Sequence, residues 1–264
     1  MSRLLLVANW KMHKTVEESL AWGRAFLRGI EARGPLERVE LVVCPTLPAL
    51  WALARLLGAD GPIGLGAQNL DLGREGAVTG AVSGYLLAGA GARWVIVGHS
   101  ERRAGFGETD ALVAAKAKAA VEAGLVPIVC VGETAAERAQ GATEAVVGRQ
   151  ADAVLASLPT PPSAFVFAYE PVWAIGSGQV PTVEEAGAVA QMLADRCRQA
   201  WGESTAKVRV LYGGSVNAAN VAGFAAAPAV DGALVGGASL DAEQFLAMAE
   251  ALERLEAEGD DDRE

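Results

Sequence analysis

The chain has 264 residues, 52% of them hydrophobic and 20% charged, with a formal net charge of −10. That much apolar material supplies one large core and excludes a disordered chain. No stretch gathers Lys and Arg into the cationic face that displaces counterions from phosphates, so a nucleic-acid partner is excluded as well.

In chain order, short aliphatic runs at residues 4–8, 39–44, 63–67, 94–97, 126–131, 165–168, 208–212 and 232–235 predict eight strands. They show little polar alternation, as expected of strands buried on both faces of a parallel sheet. Ala-, Leu- and Glu-rich stretches between them predict helices. Several open on a Thr-x-x-Glu capping box: Thr15 with Glu18, Thr134 with Glu137, and Thr182 with Glu185. In the first helix Val16, Leu20, Leu27 and Ile30 fall near one stripe, which is expected to face the sheet. Such an alternation builds either a closed (β/α)8 barrel or an open doubly wound sheet, and periodicity does not choose between them. A dinucleotide-binding open sheet wants a GxGxxG turn after its first strand; here that turn is Asn9-Trp10-Lys11, which weighs against it. No composition break or linker divides the chain. Residues 1–264 therefore read as one domain, with the charged stretch 253–264 expected to fray as an acidic tail.

Cys44, Cys130 and Cys197 form no CxxC pair and lie in apolar segments. With His13 and His99 the two histidines, zinc-ligand spacing does not arise, and no metal is expected. Buried thiols in a reducing cytosol are the expectation, Cys130 included, and the tryptophans are expected to anchor the core or a loop. The first apolar run breaks at Asn9-Trp10-Lys11, so no leader is expected, and no stretch approaches the ~20 apolar residues of a membrane span. A soluble cytoplasmic protein follows as the expectation.

Polar and glycine residues gather just after the strands, where a parallel barrel opens its site. Asn9 and Lys11 follow the first. After the fourth, residues 98–103 read GHSERR and set His99 and Glu101 beside a tight turn. After the sixth, residues 168–178 read AYEPVWAIGSG, with Glu170 at the strand's end. Residues 212–216 read YGGSV, and Gly236 and Gly237 follow the eighth strand. Singly, each has a plain structural explanation: a solvated lysine, a satisfied histidine, a surface carboxylate before proline, ordinary glycine turns. Together they place a base, an electrophile, a cation and two glycine turns at one barrel mouth. That set fits proton abstraction beside the carbonyl of a phosphorylated substrate.

The segments NWKMHKT, GHSERR, AYEPVWAIGSG, YGGSV and the final glycine pair occur in the order of, and resemble, the signature segments of the triosephosphate isomerase family, over residues 4–251. The resemblance implies a closed (β/α)8 barrel. It also implies the interconversion of dihydroxyacetone phosphate and D-glyceraldehyde 3-phosphate through an enediol(ate), without a cofactor, in glycolysis and gluconeogenesis. It assigns Glu170 as the base, His99 as a neutral donor to the developing oxyanions, Lys11 as a fixed positive charge, Asn9 as an orienting group and Glu101 as support for Lys11. A dry pocket is expected to raise the pKa of Glu170, and a helix N-terminus to lower that of His99. Gly176, Ser215, Gly236 and Gly237 match the family's phosphate contacts, aided by a short helix after the eighth strand. Pro171, Val172, Trp173, Ala174, Ile175, Gly176, Ser177 and Gly178 match its mobile lid, with Ser177 where Thr is frequent.

The same resemblance makes the long glycine-rich stretch 68–85, opening on Gln68 and Asn69, an interdigitating loop whose tip, Thr79, inserts beside the site of a second copy. It implies a homodimer and leaves a tetramer open, with Val78 and Val82 expected as exposed apolar residues. Ala81 stands where a Glu often pairs with Arg102 across the interface, so that ion pair is absent or replaced. Two other readings compete. An aldolase or an indole glycerol phosphate synthase needs a Schiff-base lysine or another acid–base set. A non-catalytic barrel should have lost Lys11, His99 or Glu170.

Overall fold

Eight parallel strands close on themselves in the computed structural model, which describes residues 3–175, 179–202 and 207–261. The strands are β1 (Leu4–Asn9), β2 (Val39–Cys44), β3 (Gly64–Ala67), β4 (Trp94–Val97), β5 (Val126–Val131), β6 (Ala164–Tyr169), β7 (Lys207–Tyr212) and β8 (Gly232–Val235). Between them run α1 (Val16–Arg33), α2 (Leu47–Leu57), α3 (Gly84–Gly89), α4 (Ser100–Phe106), α5 (Asp110–Glu122), α6 (Ala135–Ala139), α7 (Thr143–Ser157), α8 (Val183–Trp201) and α9 (Val221–Ala225). The last helix, α10 (Ala242–Asp261), follows β8. Each strand lies within one residue of its predicted run at either end. Closure is made by β1 on β8, with Leu5 opposite Gly232 and Ala8 opposite Val235. That pairing selects the barrel over the open sheet.

The lack of alternation has a direct cause. Leu5, Val7, Val42, Ile96, Ile128 and Val166 fill the barrel interior, while Leu4, Leu6 and Ala8 pack outward beneath the helices. Both faces are dry, so both are apolar. All three predicted capping boxes form, each satisfying two backbone donors at a helix start. The three cysteines are buried and free. Among the described residues no helix is long and apolar enough to cross a membrane.

Four expectations are corrected. The buried face of α1 is Ser19, Trp22, Gly23, Phe26 and Gly29; Leu27 and Ile30 only flank it, and Val16 is exposed. Small residues carry no weight in a hydropathy stripe, yet they let neighbouring helices approach closely. The stretch expected to fray from Glu253 is helical in α10 as far as Asp261, the last described residue. The Glu253 carboxylate accepts the amides of Glu37 and Arg38 at 3.0 and 3.1 Å, and Arg33 pairs with Glu243 and Glu250 at 2.7 and 2.6 Å. In the 68–85 stretch Val78 and Thr79 are exposed as expected, but Val82 packs against the core. Its carbonyl accepts the Asp71 amide at 2.9 Å and its own amide donates to Asp71 Oδ2 at 3.0 Å, pinching the loop shut at its base. Trp10, Trp22, Trp94 and Trp201 are buried, whereas Trp51 on α2 is exposed.

Candidate active site

Glu170 follows β6 and His99 precedes α4, and both are buried at the C-terminal mouth of the barrel. His99 Nε2 stands 2.9 Å from Glu170 Oε1, and the Ser100 amide donates to Glu170 Oε2 at 3.0 Å. On its other side His99 Nδ1 accepts the Glu101 amide at 3.2 Å. With Nδ1 accepting, the proton of the neutral ring sits on Nε2 and points at the carboxylate. The pair shifts both titrations against expectation. Burial pushes Glu170 up, but His99, the Ser100 amide and Lys11 outweigh it and hold the carboxyl below its ordinary value. Burial pushes His99 down, but Glu170 and Glu101 outweigh it and hold the imidazole above its ordinary value. Both expected directions assumed isolated groups, and the two groups are in fact each other's nearest partner.

The backbone under Glu170 is held by neighbours that sequence reading missed. Its amide donates to Val131 O at 2.7 Å. Gly132 permits the approach: a Cβ there would lie 1.7 Å from the Glu170 carbonyl oxygen. Gln150 brackets Gly132, its Oε1 accepting the Gly132 amide at 2.8 Å and its Nε2 donating to the carbonyl at 3.1 Å. Beyond Glu170, the Trp173 indole donates to Glu133 at 2.9 Å, the Tyr169 hydroxyl donates to the same oxygen at 3.2 Å, and Arg138 stacks on the Trp173 ring. This ties the first half of the expected lid to the end of β5. Gly176, Ser177 and Gly178 lie outside the described residues. Glu133 precedes a capping box and reads locally as a solvated helix start, so nothing in its own segment marks it as buried.

Lys11 and Asn9 reach the same mouth from β1. Lys11 has a positive φ of 53°, uncommon for a side-chain-bearing residue, and its amide donates to Asn9 Oδ1 at 3.1 Å. Its Nζ donates to Glu101 Oε1 at 2.7 Å, the support expected for Glu101. Gln68 Nε2 donates to Lys11 O at 2.8 Å and to Cys44 O at 3.0 Å, anchoring the long loop to this turn. Asn69 accepts from Lys116, and Arg102 pairs within its own chain with Glu108 at 2.6 Å. Thr79 stands on the loop's exposed tip, away from its own chain's cavity. Asn9, Lys11, His99 and Glu170 share a cavity of about 370 Å³ with Ser215, Gly236 and Gly237. The short helix expected after β8 is a single 3₁₀ turn, Gly237–Leu240. Ser215 Oγ now donates to Ala174 O at 3.2 Å. A larger hollow of about 650 Å³ opens at the opposite end, around Arg3, Glu40 and Trp94, away from these groups.

An imidazole and an ammonium beside a buried carboxylate, facing backbone glycines across a small cavity, define a (β/α)8 enzyme suited to proton transfer on a compact anion. A family model described as triosephosphate isomerase matches residues 4–252. Relatives named triosephosphate isomerase from Chloroflexus aurantiacus and Thermus thermophilus are 48% and 46% identical to this chain, spanning 92% and 94% of it and 96% and 98% of their own lengths. The crystal structure of triosephosphate isomerase from Bartonella henselae superimposes with a TM-score of 0.81 at 36% identity, over 94% of this chain and 98% of that one. The chain belongs to the triosephosphate isomerase family.

Proposed function

We propose that Glu170 is the base with which this isomerase moves a proton between the two carbons that distinguish dihydroxyacetone phosphate from D-glyceraldehyde 3-phosphate, a step of glycolysis and gluconeogenesis. The observation that carries the reading is the meeting of Glu170, His99 and Lys11 on one cavity, drawn from strand ends far apart in the chain. His99 donates from Nε2 to whichever substrate oxygen is becoming anionic. Lys11, braced by Glu101, offsets that charge, and Asn9 orients the oxygens.

The resting pair has a chemical consequence. With His99 and the Ser100 amide on its two oxygens, the carboxylate is weakly basic. To reach a substrate carbon it must leave both donors; with those gone and only Lys11 remaining, burial is opposed less and the carboxylate becomes more basic. The same departure removes the larger of the two charges that favour a protonated His99, that of Glu170, and leaves Glu101. The imidazole then stays neutral, with Nδ1 still accepting the Glu101 amide. Base and donor are thus tuned by one movement.

Gly236 and Gly237 hold the phosphate in this reading, since backbone amides without a Cβ let an anion approach closely, and Ser215 adds polar donors; Gly176 is assigned there by family likeness. Residues 171–178 are assigned as the lid by family likeness. Met12, Leu47, Val78 and Phe106 are exposed, Val78 on the long loop itself, and Leu47 and Arg102 share a cavity of about 280 Å³ with the loop's base. These apolar groups support a homodimer built on that face, placed in the cytoplasm, with each chain one domain. A monomer mass at micromolar concentration would exclude the dimer. The catalytic reading is tested by isomerisation kinetics of Glu170→Ala. A loss of at least ~10³-fold in kcat is expected, and wild-type turnover in the variant rules the base out.

A further inference from the structure

The paired register of β4 and β5 ends at Val97 with Val129. Beyond it, one guanidinium joins the two strand ends. Arg103 Nε donates to Gly98 O at 2.8 Å, and its Nη2 donates to Cys130 O at 3.2 Å. Its Nη1 donates to Asp110 Oδ1 at 2.7 Å, and Arg149 holds the other oxygen of Asp110 at 3.0 Å. Gly98 is the residue before His99. It has a φ of 70°, and a Cβ on it would lie 2.6 Å from Val113, so the turn that launches His99 has little room to drift except through its carbonyl.

The next carbonyl along β5, that of Val131, carries the Glu170 amide. Consecutive carbonyls of one strand therefore suspend the two groups of the proposed proton-transfer pair: Glu170 directly, and the His99 turn through Arg103. We infer that Arg103 is a positioning residue for the isomerisation, setting the separation between His99 and Glu170. This rests on the roles proposed for those two residues. The fixed fork of an arginine suits the task, because it aims three donors at three acceptors from one rigid plane, which a lysine cannot do.

The test compares Arg103→Met, Arg103→Lys and Asp110→Asn with wild type and Glu170→Ala. Readouts are kcat, KM, inhibition by inorganic phosphate, and the NMR signals of the His99 ring. If the turn slips by about an ångström, Arg103→Met loses ~10²-fold in kcat. KM and phosphate inhibition stay unchanged, and the His99 ring signals move. Arg103→Lys recovers part of the loss, since its ammonium still bridges two of the three acceptors. Should Arg103→Met fail to fold, Asp110→Asn still loosens the guanidinium and is expected to show the same kcat-only pattern, smaller in size. Wild-type kcat in folded Arg103→Met overturns the inference. So does a loss explained by a smaller active fraction with unmoved His99 signals. An inactive Glu170→Ala beside a fully active Arg103→Met removes the positioning role alone, whereas a fully active Glu170→Ala removes the catalytic reading beneath it.

Discussion

Adding one methyl group at Gly132 should damage catalysis more than stability. No positive φ constrains Gly132, so alanine is conformationally acceptable there and the obstacle is space alone. The new Cβ would sit 1.7 Å from the Glu170 carbonyl oxygen, against a floor of 3.0 Å for real Cβ contacts, so the two backbones must part by about 1.3 Å (3.0 less 1.7). Overpacking of this kind costs ~1–3 kcal/mol. At ~2–4 °C per kcal/mol for chains near this size, the melting temperature falls by several degrees. The displaced group is the proposed base, and a misplacement of ~1 Å typically costs ~10² in rate. Steady-state kinetics in both directions and calorimetry on Gly132→Ala should therefore show a kcat deficit of about that size, with phosphate inhibition retained. Gly223→Ala in α9 is the control: nothing lies within 4 Å of its Cβ, and neither quantity should fall. Wild-type kcat for Gly132→Ala would refute the claim that this missing side chain sets the position of Glu170.

Two further outcomes follow from buried charge. Lys116 is 3% exposed and pairs at 2.6 Å with Glu108, which is 5% exposed and also held by Arg102. Lys116→Met removes one of two cations and should cost about 3 kcal/mol, the lower end for breaking a buried pair because Arg102 remains. Chemical denaturation measures this, and a cost near zero would mean the pair is not buried in solution. Asp231 titrates above its ordinary value because burial outweighs the Val210 amide and Arg209. A carboxyl with a folded pKa above its unfolded one contributes stability below the unfolded value, and that contribution is lost as pH rises through the folded pKa. Asp231→Asn can keep the bond to the Val210 amide and should raise the melting temperature at pH 7, with the gain shrinking towards pH 4. A gain that grows on acidification would reverse the assignment.

What the amino-acid order determined alone was whatever depends on near neighbours. The eight strands were legible because burial on both faces forces unbroken aliphatic runs, and three helix starts because a Thr and a Glu three residues on cap each other locally. Asn9, Lys11, His99 and Glu170 could be picked out as chemistry-bearing types at strand ends. The tertiary structure decided the rest. The true inner face of α1, Glu253 gripping the turn before β2, and Glu133 drawn in by Tyr169 and Trp173 all rest on contacts distant in the chain. The 2.9 Å pairing of His99 with Glu170, which turned both expected pKa directions around, and the carbonyls of β5 that suspend them exist only once β4, β5 and β6 lie side by side. Titration and spacing respond to distances of a few ångströms, and those distances are set by the closed ring of strands rather than by any one segment.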